Sequence, residues 1–513
     1  MTPWARARLI WITKRDRRQN QYLVFKKSFR LAGRPAAARL RISAYAHYQV
    51  SINGVWLGRG PDPSHPRHYY VDPYDARPCL RRGRNVISVL AYAFGPELPG
   101  PESAYLQGES GWLAFELECS SPGGRVSRIG SDGRCRVRPA DAWRRDTPGY
   151  TELRAAYKEY IDGAKYGYEG LRADPPEGPG WRPAVERGPA DTAYRYEFFP
   201  KEIKPFRQAD RLPAAAYCLD GGYAYGFSER RGWQIENPEA LVPGYPLKGY
   251  QAILRGGEPN FVRPRMATDV RLGCTVRRRP GSGTPSLWLD FGALQVGDFI
   301  LELDTPAAGS VLEIGYGESP NLTYIDRYRT CAGRQVFQPY HRRAGRYAVV
   351  TFSRIAAPLR VLGARFRTRE YPPEGPGACR LPSETLNRIR AMSVRTLNLS
   401  MHSHFEDCPW REQKLYIGDM LVQARAAYYT WGEYGYTRKC LQQLGSAERA
   451  DGWLSASGPG LSRGDGLIYD FPLYYALVLR DYLLFSGDAE TARALYPKAV
   501  AQIRRFLGPA FQW

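Results

Sequence analysis

Tyr371-Pro-Pro-Glu-Gly-Pro-Gly377 divides this chain into two kinds of sequence, and the change across it decides the fold. Three prolines and two glycines in seven residues suit neither a helix nor a central strand, so the stretch reads as a linker. Downstream the apolar period is helical. Leu386, Ile389, Met392, Leu397 and Met401 recur at roughly helical spacing after Pro382-Ser383, with Ser383 as the N-cap. Met420–Trp431, Leu473–Phe485 and Ala489–Phe506 read as further helices, and Asp470-Phe471-Pro472 offers an Asp cap with an early proline.

Upstream of the linker the period is two. Leu40, Ile42, Ala44, Ala46, Tyr48, Val50 and Ile52 alternate with mostly polar neighbours, which places them on one face of a strand. Asn53-Gly54 follows at once and tolerates the positive φ angles of a tight hairpin. Val86–Tyr92 and Trp112–Leu117 repeat the strand pattern. Residues 120–250 are less legible, with Pro- and Gly-bearing connectors between short aromatic segments. From about 270 to 369 a second β-rich block contains Leu287–Phe291, Asp298–Leu303, Val311–Tyr316 and Tyr347–Phe352. No helical segments intervene, so a sandwich is expected rather than a parallel sheet.

The 513 residues exceed one hydrophobic core, and the expected division is a β-domain over 1–200, a second β-sandwich over 201–375 and a helical domain over 376–513. A hydrophobic fraction of 43% with 13% aromatics can fill such cores. Mean hydropathy of −0.48 and the lack of a long apolar run argue against a membrane span. Residues 1–25 have no continuous apolar centre and no small-residue cleavage site, so no signal peptide is read and a cytoplasmic location is expected. Nine scattered cysteines fit reduced thiols and lack C-x-x-C spacing, and His65/His68 and His402/His404 do not make a metal site. The net charge of +22 could draw polyanions, which would show as heparin retention that weakens with salt. The charge is spread along the chain and no nucleic-acid-binding motif accompanies it, so nucleic acid is not an expected partner.

The richest chemistry lies in His404-Phe-Glu-Asp-Cys-Pro-Trp-Arg-Glu-Gln-Lys-Leu-Tyr-Ile-Gly-Asp419. Glu406, Asp407, Glu412 and Asp419 crowd together there, with Trp410, Arg411 and Tyr416 between them. Glycoside hydrolysis needs one carboxylic acid for the leaving oxygen and a second carboxylate across the sugar. Crowded carboxylates repel one another's charge and raise the pKa of at least one. The same residues also fit a plain structural part, in which Asp407 and Asp419 cap helices and Arg411 pairs with Glu412 on a solvated face.

Asp407-Cys-Pro-x-Arg-Glu-x-x-x-Tyr-x-Gly-Asp419 resembles the acid-catalyst motif of bacterial α-L-rhamnosidases, matching at seven of thirteen positions without the tyrosine. Arg59–Asp75 after the Asn53-Gly54 hairpin resembles the family's N-terminal carbohydrate-binding-type β-domain. Leu289-Asp-Phe-Gly292, Gly315-Tyr-Gly-Glu318, Asp326-Arg-Tyr328 and Phe337-Gln-Pro-Tyr-His-Arg-Arg343 resemble the sandwich before its catalytic barrel. The resemblance implies N-terminal β-sandwich domains followed by the first part of an (α/α)6 six-hairpin toroid. It makes Glu412 the general acid of an inverting hydrolase and places Asp407, Arg411 and Asp419 around the glycone. Tyr416 would line the pocket, and Trp453 in Asp451-Gly-Trp453 is a weaker candidate for the same wall. No cofactor or metal is implied, and the expected partner is a rhamnosyl glycoside or related carbohydrate.

The family's general base is a glutamate well downstream of the acid motif, and it has no counterpart up to Trp513. The expectation is therefore an incomplete toroid that acts poorly by itself, with apolar helix faces exposed. The alternative is a carbohydrate-binding remnant without catalysis.

Overall fold

The structure, a computed structural model, describes residues 4–14, 18–63, 68–95, 111–147, 157–165, 176, 178–189, 196–219, 267–269, 272–277, 285–318, 324–375, 377, 379–410, 412–459 and 468–508. It is β-rich ahead of the Pro/Gly linker and helical after it.

Two sheets form the N-terminal sandwich. One runs in the order Val185–Pro189, Arg8–Trp11, Leu113–Ser120, Ala37–Ala44, His68–Asp75 and Glu197–Pro200, with Val126–Gly130 paired to Leu113–Ser120. The other runs Arg182–Pro183, Arg136–Pro139, Gln21–Leu31, Gly83–Ala93, His47–Ile52 and Val55–Gly60. The alternation over Leu40–Ile52 is therefore two strands in two sheets, not one strand. Tyr45 and Ala46 stay buried in the shared core as the chain crosses over, so the period of two runs on without marking the crossing. The hairpin is as expected: Asn53 and Gly54 take φ of 53° and 79°, the left-handed pair that a two-residue turn requires. The Asn53 side chain also accepts from Val86 N at 2.9 Å, which ties the turn to the neighbouring strand.

The second β part is one eleven-stranded sheet organised on Ser286–Thr305, a twenty-residue strand. Its first half pairs with Arg343–Arg354 and its second half with Leu359–Thr368. The strands expected at Leu287–Phe291 and Asp298–Leu303 are the two ends of this element. Its register shifts between Asp290 and Gln295, where Gly292 has φ of 75°. A glycine there looks like a strand break in sequence, yet it accommodates a bend within a continuous strand.

A buried ionic node ties the two β parts. Arg343 donates to Asp326 at 2.8 and 2.9 Å and to Glu159 at 2.9 Å, all three side chains being essentially inaccessible. Glu159 also accepts from Trp143 Nε1 at 3.0 Å and from the backbone N–H groups of Tyr340 and His341 at 2.7 and 2.9 Å. Each carboxylate oxygen thus has donors, which is the condition for burying such charges. The motif Phe337–Arg343 is held by this node against residues 157–163.

Among the described residues five helices follow: α1 (Glu384–Leu399), α2 (Ile417–Trp431), α3 (Tyr434–Gly445), α4 (Phe471–Ser486) and α5 (Ala489–Phe506). Ser383 caps α1 by accepting from Leu386 N at 3.4 Å, whereas Asp470 precedes α4 without a side-chain cap hydrogen bond. The sequence reading did not include α3, because Gly432 and Gly435 punctuate its start; Glu433 caps it instead, accepting from Tyr436 N. Met401, Phe405, Leu415, Ile417, Met420, Tyr436 and Tyr475 form the centre of the helical core. Other apolar side chains stand in solvent: Leu386, Ile389 and Met392 on α1, Val422 and Tyr429 on α2, Leu484 on α4 and Tyr496 on α5. Among the described residues no helix is long and apolar enough to cross a membrane, and no disulfide is formed.

Candidate active site

The acidic stretch forms a loop that enters α2, and backbone pairing holds it on both sides. Asp407 N donates to Lys414 O and Lys414 N returns a bond to Asp407 Oδ1, both at 2.9 Å, closing residues 407–414 into a compact turn. Inside the turn Glu412 N donates to Cys408 Sγ at 3.3 Å. Gln413 takes a positive φ of 55° and donates from its side chain to Trp410 O at 3.1 Å. Leu415–Tyr416 then pairs with Ser457–Gly458, and Ile417 N donates to Ala456 O at 3.0 Å. A catalytic group on a loop needs this kind of support to hold its geometry.

Two positions of the motif explain each other through packing. The Tyr416 hydroxyl donates to Glu412 Oε2 at 2.6 Å, and its ring meets Phe471 edge-on at 6.2 Å and 83°. Phe471 in turn lies over Gly418, where an added Cβ would sit 2.6 Å from its ring. The glycine is therefore needed for close approach. The chain from Glu412 through Tyr416 and Phe471 to Gly418 links the loop to the first turns of α2 and α4.

Neither aspartate caps a helix. Asp407 spends its carboxylate on the loop backbone, and the N-cap of α2 is Tyr416, with Asp419 in the first turn. Burial pushes both Asp407 and Asp419 above the ordinary carboxylate range, and the nearby Glu412 charge adds to the rise in each. For Asp407 the hydrogen bonds from Cys408 and Lys414 oppose that rise. Three carboxylates thus share one half-buried patch. Arg411 lies outside the described residues. Trp453 is buried, its ring edge-on to that of Tyr469 with centroids 6.5 Å apart, on the segment that runs up to the Ser457–Gly458 pairing.

The loop has a second face that the sequence reading did not assign. Glu406 points away from Asp407 into the junction with the β parts. It accepts from Arg342 Nη2 on both oxygens at 2.7 Å and is 3.0 Å from His402 Nδ1. Burial alone would raise its pKa, but Arg342 and then His402 outweigh that and hold it at about 2. His404 Nε2 lies 3.0 Å from Gln413 O, and burial drops its pKa to about 4, so its ring is neutral. These residues border a cavity of about 180 Å³. The i,i+4 spacing of His402 and Glu406 was the available signal; the arginine partner comes from sixty-four residues upstream and had none.

β-Rich parts lead into paired helices, with an acidic loop at the entry to the second helix, an arrangement similar to that of solved rhamnosidases. Residues 377–508 of the helical part match the model of the bacterial α-L-rhamnosidase six-hairpin glycosidase domain. Whole-chain similarity to solved structures agrees in fold. A GH78 family rhamnosidase of Bacillus sp. GL1 aligns with a TM-score of 0.78 at 21% identity, over 98% of this chain and 69% of that one. The α-L-rhamnosidase of Dictyoglumus thermophilum gives 0.68 at 17%, over 98% and 51%. The Streptomyces avermitilis α-L-rhamnosidase, solved with L-rhamnose, gives 0.65 at 18%, over 95% and 42%. The chain thus spans about half or less of the length of the latter two. No curated protein matches the sequence.

Proposed function

We propose that this chain belongs to an inverting α-L-rhamnosidase-type glycoside hydrolase that removes terminal α-L-rhamnosyl or related residues. The observation that carries the reading is the Tyr416–Glu412 hydrogen bond set between Asp407 and Asp419. Glu412 delivers the proton to the leaving oxygen, and Tyr416 keeps its carboxyl in one orientation. Asp407, Arg411 and Asp419 hold the hydroxyls of the glycone, and Tyr416 and Trp453 supply apolar walls. Inversion also requires a carboxylate that activates water on the opposite face of the sugar. None of the residues assigned above takes that part, and the fold and the acid side of the site are what this chain supplies.

Hydrolysis of p-nitrophenyl α-L-rhamnoside by this chain and by the full product of its gene tests the reading. The full product is expected to release p-nitrophenol, and Glu412→Gln to abolish most of that activity. Failure on every aryl glycoside tried, or an unaffected Glu412→Gln enzyme, would sink the assignment. Saturable L-rhamnose binding with no hydrolysis would instead favour a carbohydrate-binding protein. The cytoplasm is the proposed location.

A further inference from the structure

We infer that Cys408 is a positioning residue of the acidic loop: its thiol joins Asp407, which holds the glycone, to Glu412, which delivers the proton, and keeps the two in one arrangement. The inference rests on the rhamnosidase-type reading proposed above and adds to it a group that the reading did not use.

Cys408 is placed unlike the cysteines of the cores. Cys119, Cys135 and Cys440 are buried within the hydrophobic cores, whereas Cys408 is half-buried and, among the described residues, belongs to neither core. Its sulfur meets polar groups instead. Glu412 N donates to Cys408 Sγ at 3.3 Å, and the thiol hydrogen-bonds the Asp407 carboxylate. A thiol has one S–H to donate and a sulfur that accepts, so it serves both partners at once. Burial pushes the Cys408 thiol above its ordinary range; the Glu412 N–H opposes that rise, and the bond to Asp407 adds to it. The proton therefore stays on sulfur at neutral pH, where the bond to Asp407 needs it.

The two bonds act on different parts of the site. Tyr416 fixes the Glu412 carboxyl, and Cys408 fixes the backbone that carries it, one residue before the chain turns at Gln413. Lys414 N ties the far side of that turn to Asp407 at 2.9 Å. A small displacement of an acid from its leaving oxygen costs rate steeply, so support of this kind acts on kcat. The thiol also influences the charge on Asp407. Burial pushes that carboxyl up, and the Cys408 hydrogen bond is the largest influence opposing the rise, ahead of Lys414 N. Loss of the S–H donor should raise Asp407 further, and the carboxylate that accepts from sugar hydroxyls would then be neutralised at a higher pH.

Two measurements test this. In this chain, iodoacetamide labelling of Cys408, followed by mass spectrometry of its peptide, reads the thiol as a function of pH. Asp407→Asn removes the charge and the acceptor, so the labelling profile should move to lower pH. In the full gene product, Cys408→Ala should lower kcat on p-nitrophenyl α-L-rhamnoside about tenfold and move the acid limb of kcat/KM to higher pH. Cys408→Ser keeps a donor and an acceptor and should recover most of both effects, so a folding failure of Cys408→Ala would leave the serine variant and the labelling to decide. A merely structural cysteine would lower melting temperature and leave kcat and the acid limb where they are. The inference alone is overturned by an active wild type whose Cys408→Ala variant keeps both, by a serine variant that loses as much as the alanine one, or by a labelling profile that Asp407→Asn does not move. A wild-type product inactive on every aryl glycoside tried sinks the rhamnosidase-type reading and takes this inference with it.

Discussion

Tyr416 Oη donates to Glu412 Oε2 at 2.6 Å, a bond formed because the chain turns sharply at Gln413 before it pairs with Ser457–Gly458. Glu412→Gln should lower kcat/KM of the full gene product on aryl α-L-rhamnosides by about 10²–10⁴-fold, the usual weight of a general acid. Tyr416→Phe removes only the orienting bond and keeps the ring on Phe471. A loss of roughly tenfold in kcat with little change in KM is expected, because positioning acts on the reacting geometry rather than on binding. A purely structural tyrosine would lower melting temperature and leave kcat of the folded enzyme intact, so steady-state kinetics beside thermal melts separates the two.

Gly418→Ala places a methyl group 2.6 Å from the Phe471 ring. Phe471 must move, and Tyr416 with it, so both stability and activity should fall. The expected cost is about 1–3 kcal/mol, in the range of overpacked cores. Alanine is otherwise the better helix former, so a stabilised Gly418→Ala protein would show that the ring yields freely. Chemical denaturation followed by tyrosine and tryptophan fluorescence reads the result.

Glu406 supplies a pH signature. Its pKa is held at about 2 in the folded chain, below the 4.5 of an ordinary glutamate, since Arg342 and His402 overcome the effect of burial. A depressed carboxylate stabilises the fold above its unfolded pKa, and that contribution fades as pH falls from about 4.5 through about 2. Glu406→Gln should therefore cost on the order of 3 kcal/mol at neutral pH and progressively less below pH 4.5. Melts from pH 7 to pH 3 on both proteins check this. A gap that stays constant over that range would mean that the ion pair with Arg342 contributes nothing to the fold.

Arg343→Met would leave Asp326 and Glu159 facing each other in the interior without their shared cation. Removing one partner of a buried ion pair typically costs about 3–5 kcal/mol, and here the loop at Tyr340 and His341 hangs on the same node. The variant should unfold in the β parts at lower urea than the wild type. Replacing all three members by apolar residues should recover part of the loss, since the desolvation penalty disappears with the charges. No recovery in the triple variant would argue that the node is needed for more than charge balance.

The local part of the site was legible in the sequence, because its residues lie within one thirteen-residue window. Carboxylate crowding over 407–419 is visible in the sequence, but Asp407 and Asp419 rise chiefly because they are buried, with the Glu412 charge adding to it. Likewise, a change from period two to period 3.6 across 371–377 was enough to place strands before helices, because side-chain direction depends on local backbone geometry alone. What periodicity leaves open is which sheet a strand joins. Leu40–Ile52 keeps its alternation while crossing between sheets, and Gly292 bends a strand without ending it. At the crossing Tyr45 and Ala46 are buried, so no polar residue marks it, and at Gly292 the exposed glycine reads like an ordinary break.

Only the tertiary structure decided what stands behind the motif. Glu406 sits beside Asp407 in sequence yet faces the other way, toward an arginine from the preceding sheet, with its pKa driven down where that of its neighbour is driven up. Charge in a buried site depends on which distant groups are brought within a few ångströms, and Arg342 and Arg369 reach it from a different part of the chain. By itself the sequence determined the order of the elements and which carboxylates crowd the acidic loop, because both are written in contiguous residues. The long-range folding of the chain determined the packing of Tyr416, Phe471 and Gly418 and the pairing of Glu406 with Arg342, because those contacts exist only once the separate elements have packed.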